Sequence, residues 1–106
     1  MKSDTIAEVR IDELRRLHVK PATAAFPYMY REGIDVHWDE QSKSLHSSIP
    51  RQWTYAHWFQ HIIWAAEAQG CALTITDATA WTNVDRELKA QLVSAALLRI
   101  PESGVR

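Results

Sequence analysis

The sequence predicts an α+β fold: a small, mainly antiparallel sheet with two main helices packed on one of its faces. Three observations carry this. A helical period runs through Tyr55–Gln69, strand alternation occupies two hairpin arms over Ile34–Asp39 and Ser44–Ile49, and a second helical stripe runs through Val84–Ile100. The chain has 106 residues, so one domain over residues 1–106 is expected. Hydrophobic residues at 46% and charged residues at 24% are ordinary for a globular chain, so a core without disulfide or metal staples is within reach.

Taken in order, Ile6–Val19 supports two patterns. Ile6, Val9, Leu14 and Leu17 fit a rough helical stripe, whereas Val9 and Ile11 also alternate as in a strand. With Asp12 as a cap, a short helical turn over Glu13–Leu17 is expected. Leu17–Lys20 then runs extended and stops at Pro21, because the residue before a proline is driven out of the helical region. The same restriction before Pro27 makes Thr23–Arg31 extended, with Phe26, Tyr28 and Tyr30 on one side and Met29 on the other. An aromatic ladder of that kind packs under a helix. In the hairpin, Glu40–Lys43 forms the loop, so Trp38 faces Leu45 and Ile34 faces Ile49. This register gathers the apolar side chains on one face, with Ser47 on the same side as Leu45 and Ile49. It makes His37 and His46 cross-strand neighbours on the other face, flanked by Asp35, Asp39 and Ser48.

Thr54 can cap the central helix, and Trp53 and Trp58 have the spacing of a hydrophobic staple around it. Gly70 suits the left-handed residue that ends a helix. At about 100° per residue, Tyr55, Trp58, Phe59, Ile62 and Ala66 share an inward arc with Ile63 at its border. His57, His61, Trp64 and Ala68 face outward. Trp64 is then a large apolar ring where water is expected: either a second element covers it, or it belongs to a partner surface. Leu73 and Ile75 alternate with Thr74 and Thr76 in a strand over Cys71–Thr76. If that strand runs parallel to Ser44–Ile49 in one sheet, the connection is a right-handed crossover. A turn over Asp77–Trp81 leads to the last helix, capped by Thr82 or Asn83, whose core stripe is Leu88, Leu92, Ala95 and Ala96. Pro101 and Gly104 close it.

The formal net charge is −1, which disfavours a generic nucleic-acid binder. The basic residues Arg10, Arg15, Arg16, His18 and Lys20 are interleaved with Asp12 and Glu13, the pattern of a solvated face. Cys71 stands alone, so paired-cysteine metal sites and internal disulfides are excluded, and a buried thiol in a reducing cytoplasm is expected. No stretch has the length of a membrane span. His57 and His61 are one helical turn apart, but Trp58 stands where a zinc protease needs its glutamate. Two histidines alone fall short of the three or four ligands that zinc takes, so no metal and no cofactor are expected. Three glycines build neither a phosphate loop nor a dinucleotide fingerprint, and no nucleophile elbow is present. Nothing nominates Tyr28, His46 and Asp77, a conceivable acid–base set, over other residues.

Two stretches, FPYMYREGIDVHWDE at Phe26–Glu40 and PRQWTYAHWFQHIIWAAEAQGCAL at Pro50–Leu73, resemble small proteins of bacterial integron gene cassettes. The resemblance implies a compact cytoplasmic bacterial protein and carries no catalytic residue with it. The residues themselves point first to a non-enzymatic binding module that meets a protein partner, or a second copy in a homodimer, through His57, His61 and Trp64. If that surface self-associates, acid loosens it, since protonating both histidines places like charges one turn apart. The alternative is a small-molecule or hydrolytic cavity lined by Tyr28, Tyr30 and Trp38, with His37 and His46 on the hairpin.

Overall fold

A computed structural model of the chain describes residues 2–27, 29, 35–47 and 53–98. Among them, β1 (Lys2–Ile11) is followed by β2 (Leu17–Pro21), β3 (His37–Asp39) and β4 (Ser44–His46). Helix α1 (Tyr55–Ala68), β5 (Cys71–Thr74), β6 (Ala80–Thr82) and α2 (Arg86–Leu98) complete the order. The strands form one six-stranded sheet in the order β3-β4-β2-β1-β5, with β6 also on β1. The α+β class and its mostly antiparallel sheet are as the sequence predicts. β5 and β6 both run parallel to β1, which makes the sheet mixed. The strand after Gly70 runs parallel to β4 in the same sheet, but β1, not β4, is its neighbour.

The N-terminal segment corrects the expected helical turn. Ile6–Ile11 is strand, and Asp12–Arg16 is the turn of a hairpin in which Val9 faces Val19 and Arg10 faces His18. The register slips between Ile6 and Glu8, a bulge at Ala7. A bulge puts residues three apart on one face. Ile6 and Val9 are therefore both buried, at a spacing that imitates a helix. Asp12 organises the turn instead of capping a helix: its Oδ1 accepts from the N–H groups of Leu14 and Arg16, each at 2.9 Å. Arg15 takes φ 67° there.

β5 and β6 lie end to end on β1's outer edge. β5 pairs with Lys2–Thr5 and β6 with Glu8–Arg10. Between them, at the level of the bulge, the Thr79 hydroxyl donates to the Ile6 carbonyl at 2.6 Å and accepts from the Thr76 N–H at 3.0 Å. A side chain thus serves backbone groups that the ladder leaves over. The sequence reading has Asp77–Trp81 as a turn throughout. The turn ends at Thr79, and Ala80–Thr82 is strand.

The hairpin register is as expected: Trp38 faces Leu45 and His37 faces His46. Both arms are shorter than the sequence suggests, and Ile34, Ser48 and Ile49 lie outside the described residues. The extended aromatic ladder is corrected. Phe26 and Met29 are both buried rather than on opposite sides, because the chain turns there, with the Met29 N–H donating to the Phe26 carbonyl at 3.1 Å. Tyr28 and Tyr30 lie outside the described residues.

Helix α1 begins as predicted. Thr54 Oγ1 accepts from the His57 N–H at 3.1 Å, and the Trp53 and Trp58 rings meet at 4.7 Å across the cap. Gly70 follows the helix at φ +91°. Trp58, Phe59, Ile62, Ile63, Ala65 and Ala66 are buried against Val9, Leu17, Val19 and Leu45 of the sheet. Each large side chain so buried contributes about 1.5–3 kcal/mol. The start of α2 differs from the sequence reading. The cap is Asp85, whose Oδ1 accepts from the Leu88 N–H at 2.8 Å. Asn83 sits at φ 58° and donates its amide to the Ile11 carbonyl. Leu92 and Ala95 are buried, as their stripe predicts. No described helix is long and apolar enough to cross a membrane.

Candidate functional site

Two constellations occupy opposite sides of the sheet. The first is on α1. Trp53 stacks flat on His57, with ring centroids 4.1 Å apart and planes 7° apart. It meets His61 edge-on at 5.1 Å, and His61 in turn stacks with Trp64 at 5.7 Å and 11°. The structure thus brings His57, His61 and Trp64 into one ladder of rings, with Trp53 between the two histidines. Trp64 keeps 52% of its surface exposed, so no described element covers it. Beside the ladder an open furrow of about 640 Å³ separates the helices, lined by Ala56, His57, Gln60, Ala90, Ser94 and Ala95.

The second constellation follows from strand alternation. Val9, Val19 and Leu45 face the helices, so their neighbours Arg10, His18, Ser44 and His46 face the other way. His37, His46 and His18 form a row, with rings 5.2 and 5.0 Å apart. His18 is 2% exposed. Its Nε2 lies 2.7 Å from Asp12 Oδ2, and its Nδ1 lies 2.8 Å from Ser44 Oγ and 3.2 Å from Arg10 Nη2. The carboxylate and the guanidinium fix the tautomer, since one only accepts and the other only donates. Nε2 carries the proton and Nδ1 is bare. Burial, with the charges of Arg10 and His46, holds His18 below the ordinary imidazole value despite Asp12. Burial also lowers His46. Burial alone would raise the Asp12 carboxyl, but hydrogen bonds from Arg16 and His18 outweigh it and hold it far below the carboxylate range.

A model of the family described as Integron Cassette Protein Hfx_Cass5 matches residues 4–79. This chain belongs to that family. A solved structure from the mobile metagenome of North West Arm Sewage Outfall, Integron Cassette Protein Hfx_Cass5, is 46% identical. The match covers 92% of this chain and 98% of that one, with a TM-score of 0.47. No curated protein matches. The family span holds both constellations, from Arg10 to Trp64, and ends before β6 and α2.

Ser44, His18 and Asp12 stand in the order of a hydrolase triad. Ser44, however, is 2% exposed and its oxygen is already held by His18 and by Ser42 at 2.7 Å. No substrate carbonyl can reach it, so the trio is a buried network within the family fold. The residues of the alternative pocket are divided. His37 and His46 meet on the side away from the helices, while Trp38 packs edge-on against Phe26 at 5.8 Å and donates to Glu40. Asp77 follows β5 at one end of the sheet order, with β1 and β2 between it and His46. A cleft of about 430 Å³ lies elsewhere, lined by Phe59, Ile63, Leu73 and Trp81 with Asp77 and Lys89. Among the described residues no three His, Cys, Asp or Glu side chains converge to hold a metal ion. Cys71 is buried, and burial raises its thiol above the ordinary value, which keeps it unreactive.

The sequence reading missed the Arg10–Asp12–His18–Ser44 network and treated its basic residues as a solvated face. His18 is buried instead. The available signal was the alternation of Arg10 with Val9 and of His18 with Val19. It becomes legible only once β2 is known to lie between β1 and β4.

Proposed function

We propose that this chain is a non-enzymatic binding module that presents the outer face of α1 to a second copy of itself. The exposed Trp64 ring, stacked on His61 at the end of a continuous Trp–His ladder, carries the reading. Tryptophan concentrates binding energy where it can be desolvated, and a two-fold contact repeats such a patch on both partners. The furrow beside it supports the reading, because Ala56, Ala90, Ser94 and Ala95 leave room for the ridge of another helix. The reading keeps the protein in a bacterial cytoplasm, where the single buried Cys71 stays reduced.

Light scattering on the wild type and on Trp64→Ala tests it. The wild type is expected at twice the monomer mass and the variant at the monomer mass. A monomeric wild type, or a variant that remains dimeric, removes the proposal.

A second reading rests on the cleft between the helices and the β5–β6 edge. Its volume of about 430 Å³ falls in the range of small-ligand pockets. Lys89 Nζ stands 5.4 Å from the Trp81 ring at its border, an arrangement suited to an apolar body with an anionic end. Fatty-acid titration followed by Trp81 fluorescence, unchanged in Trp64→Ala, separates this reading from the first.

A further inference from the structure

We propose that the helix-free side of the sheet binds a small oxyanion of the phosphate class, held by Arg10 and Lys20, and that His18 takes up a proton as it binds.

A pocket of about 210 Å³ opens between β1, β2 and the β3–β4 loop. Arg10, Lys20 and Lys43 line it, beside Ser42 and Ser44, with a single carboxylate, Glu8. Glu8 already accepts from Thr82, and Lys43 pairs with Glu40. Among the described residues no carboxylate pairs with Arg10 or Lys20. Arg10 is partly buried, and its one hydrogen bond goes to an imidazole nitrogen. A partly buried guanidinium without an anion leaves most of its donors unused. Donors approaching from a sheet face and from a loop suit a compact tetrahedral oxyanion.

The protons of the neighbouring network point the same way. Asp39, Ser42, Ser44, His18 and Asp12 form a chain through four contacts of 2.8, 2.7, 2.8 and 2.7 Å. Four contacts require four hydrogens. The two carboxylates supply none, each serine supplies one, and a neutral His18 supplies one. The chain is one proton short, and only the imidazolium form of His18 completes it. Arg10 opposes that form, because its Nη2 donor faces Nδ1. An oxyanion in the pocket draws Arg10 away, and its charge favours the imidazolium. Binding and protonation are then linked. The groups that face His18 are Arg10 from β1, Asp12 and Arg16 from the turn, Lys20 beside it, and Ser44 and His46 from β4. His37 stands behind His46, and Asp39 acts through Ser42.

Inorganic phosphate is titrated into the full chain at neutral pH. The imidazole resonances of His18 are followed by NMR, and calorimetry in buffers of different ionisation heat counts the protons taken up. Saturable binding with proton uptake and a shift of His18 toward imidazolium are expected. Arg10→Gln or Lys20→Gln should weaken binding about tenfold or more, the loss of one charge-assisted hydrogen bond. The remote Arg86→Gln should leave it unchanged. Without phosphate, Arg10→Gln should itself move His18 toward imidazolium, which a merely structural arginine would not do. Lys20 is exposed, so its variant keeps the test available if Arg10→Gln fails to fold. Glycerol phosphate binding as tightly as phosphate identifies a phosphate ester as the natural form; phosphate alone binding identifies the ion. No saturable response, binding without proton uptake, or wild-type affinity in Arg10→Gln and Lys20→Gln overturns the proposal.

Discussion

Replacing Asp12 by asparagine tests whether this turn holds the first hairpin together. The Asp12 carboxylate accepts from the backbone N–H of Leu14 and of Arg16 at 2.9 Å, from Arg16 Nε at 2.8 Å and from His18 Nε2 at 2.7 Å. Asparagine can keep the two backbone bonds through its carbonyl oxygen. It then places an NH₂ group against two donors. The Arg16 side chain is 34% exposed, so that ion pair contributes only about 0.5 kcal/mol. The His18 bond is partly buried and charge-assisted, worth roughly 1.5–3 kcal/mol. His18 can accept from the new amide only by moving its proton to Nδ1, where the Arg10 donor already sits. The rearrangement therefore exchanges one conflict for another. The expected loss is about 2–3 kcal/mol, or roughly 10–20 °C in Tm for a chain of this size. Urea unfolding at neutral pH measures it. The folded carboxyl lies below its ordinary value of 3.8, so its contribution is present above that pH and fades below it. The gap between wild type and variant should narrow below about pH 4. A loss under about 0.5 kcal/mol, or a gap undiminished at about pH 3, would refute the reasoning.

Other measurements probe the same physics elsewhere. His18 and His46 are both held below the ordinary 6.5, so the unfolded chain binds protons first as pH falls. Stability should decline from about pH 7 downward, and His46→Gln should flatten that slope; equal slopes by urea titration would count against burial as the cause. Gly70→Ala should lose about 1 kcal/mol, because φ +91° is strained for alanine although nothing lies within 4 Å of the added carbon. A neutral result by thermal unfolding would mean that the turn relaxes. Phe59, fully buried, should lose about 3–5 kcal/mol as Phe59→Ala; a loss below about 1 kcal/mol would show that α1 repacks.

What could be read from the residues alone follows from how locally each feature is determined. Helix α1, its Thr54 cap, Gly70 and the ring-bearing outer face depend on neighbours within a turn or two, and their pattern is unambiguous. The His37–His46 pairing follows from the loop length of one hairpin. The N-terminal strand was hidden by its own bulge, which spaces Ile6 and Val9 like a helix. β6 escaped because Ala80, Trp81 and Thr82 are all partly or fully exposed, so no alternation marks them. The cap of α2 fell on Asp85 because Asn83 is engaged by Ile11, a residue 72 positions away. The polar network required the pairing of three strands at once, information that no window of sequence holds.

The end-to-end arrangement of β5 and β6 has a bearing on how the chain assembles. During synthesis β1 can pair with β2 almost at once, but its other border stays open until β5 and β6, about 60 residues or more further on, have emerged. Contacts over such separations close slowly, and an unpaired strand border is a template for other chains. A nascent or truncated polypeptide ending at Gly70 would carry that border bare along Lys2–Ile11. Its hazard is inclusion-body formation, and the late segment from Cys71 to Thr82 acts as the protein's own seal against it.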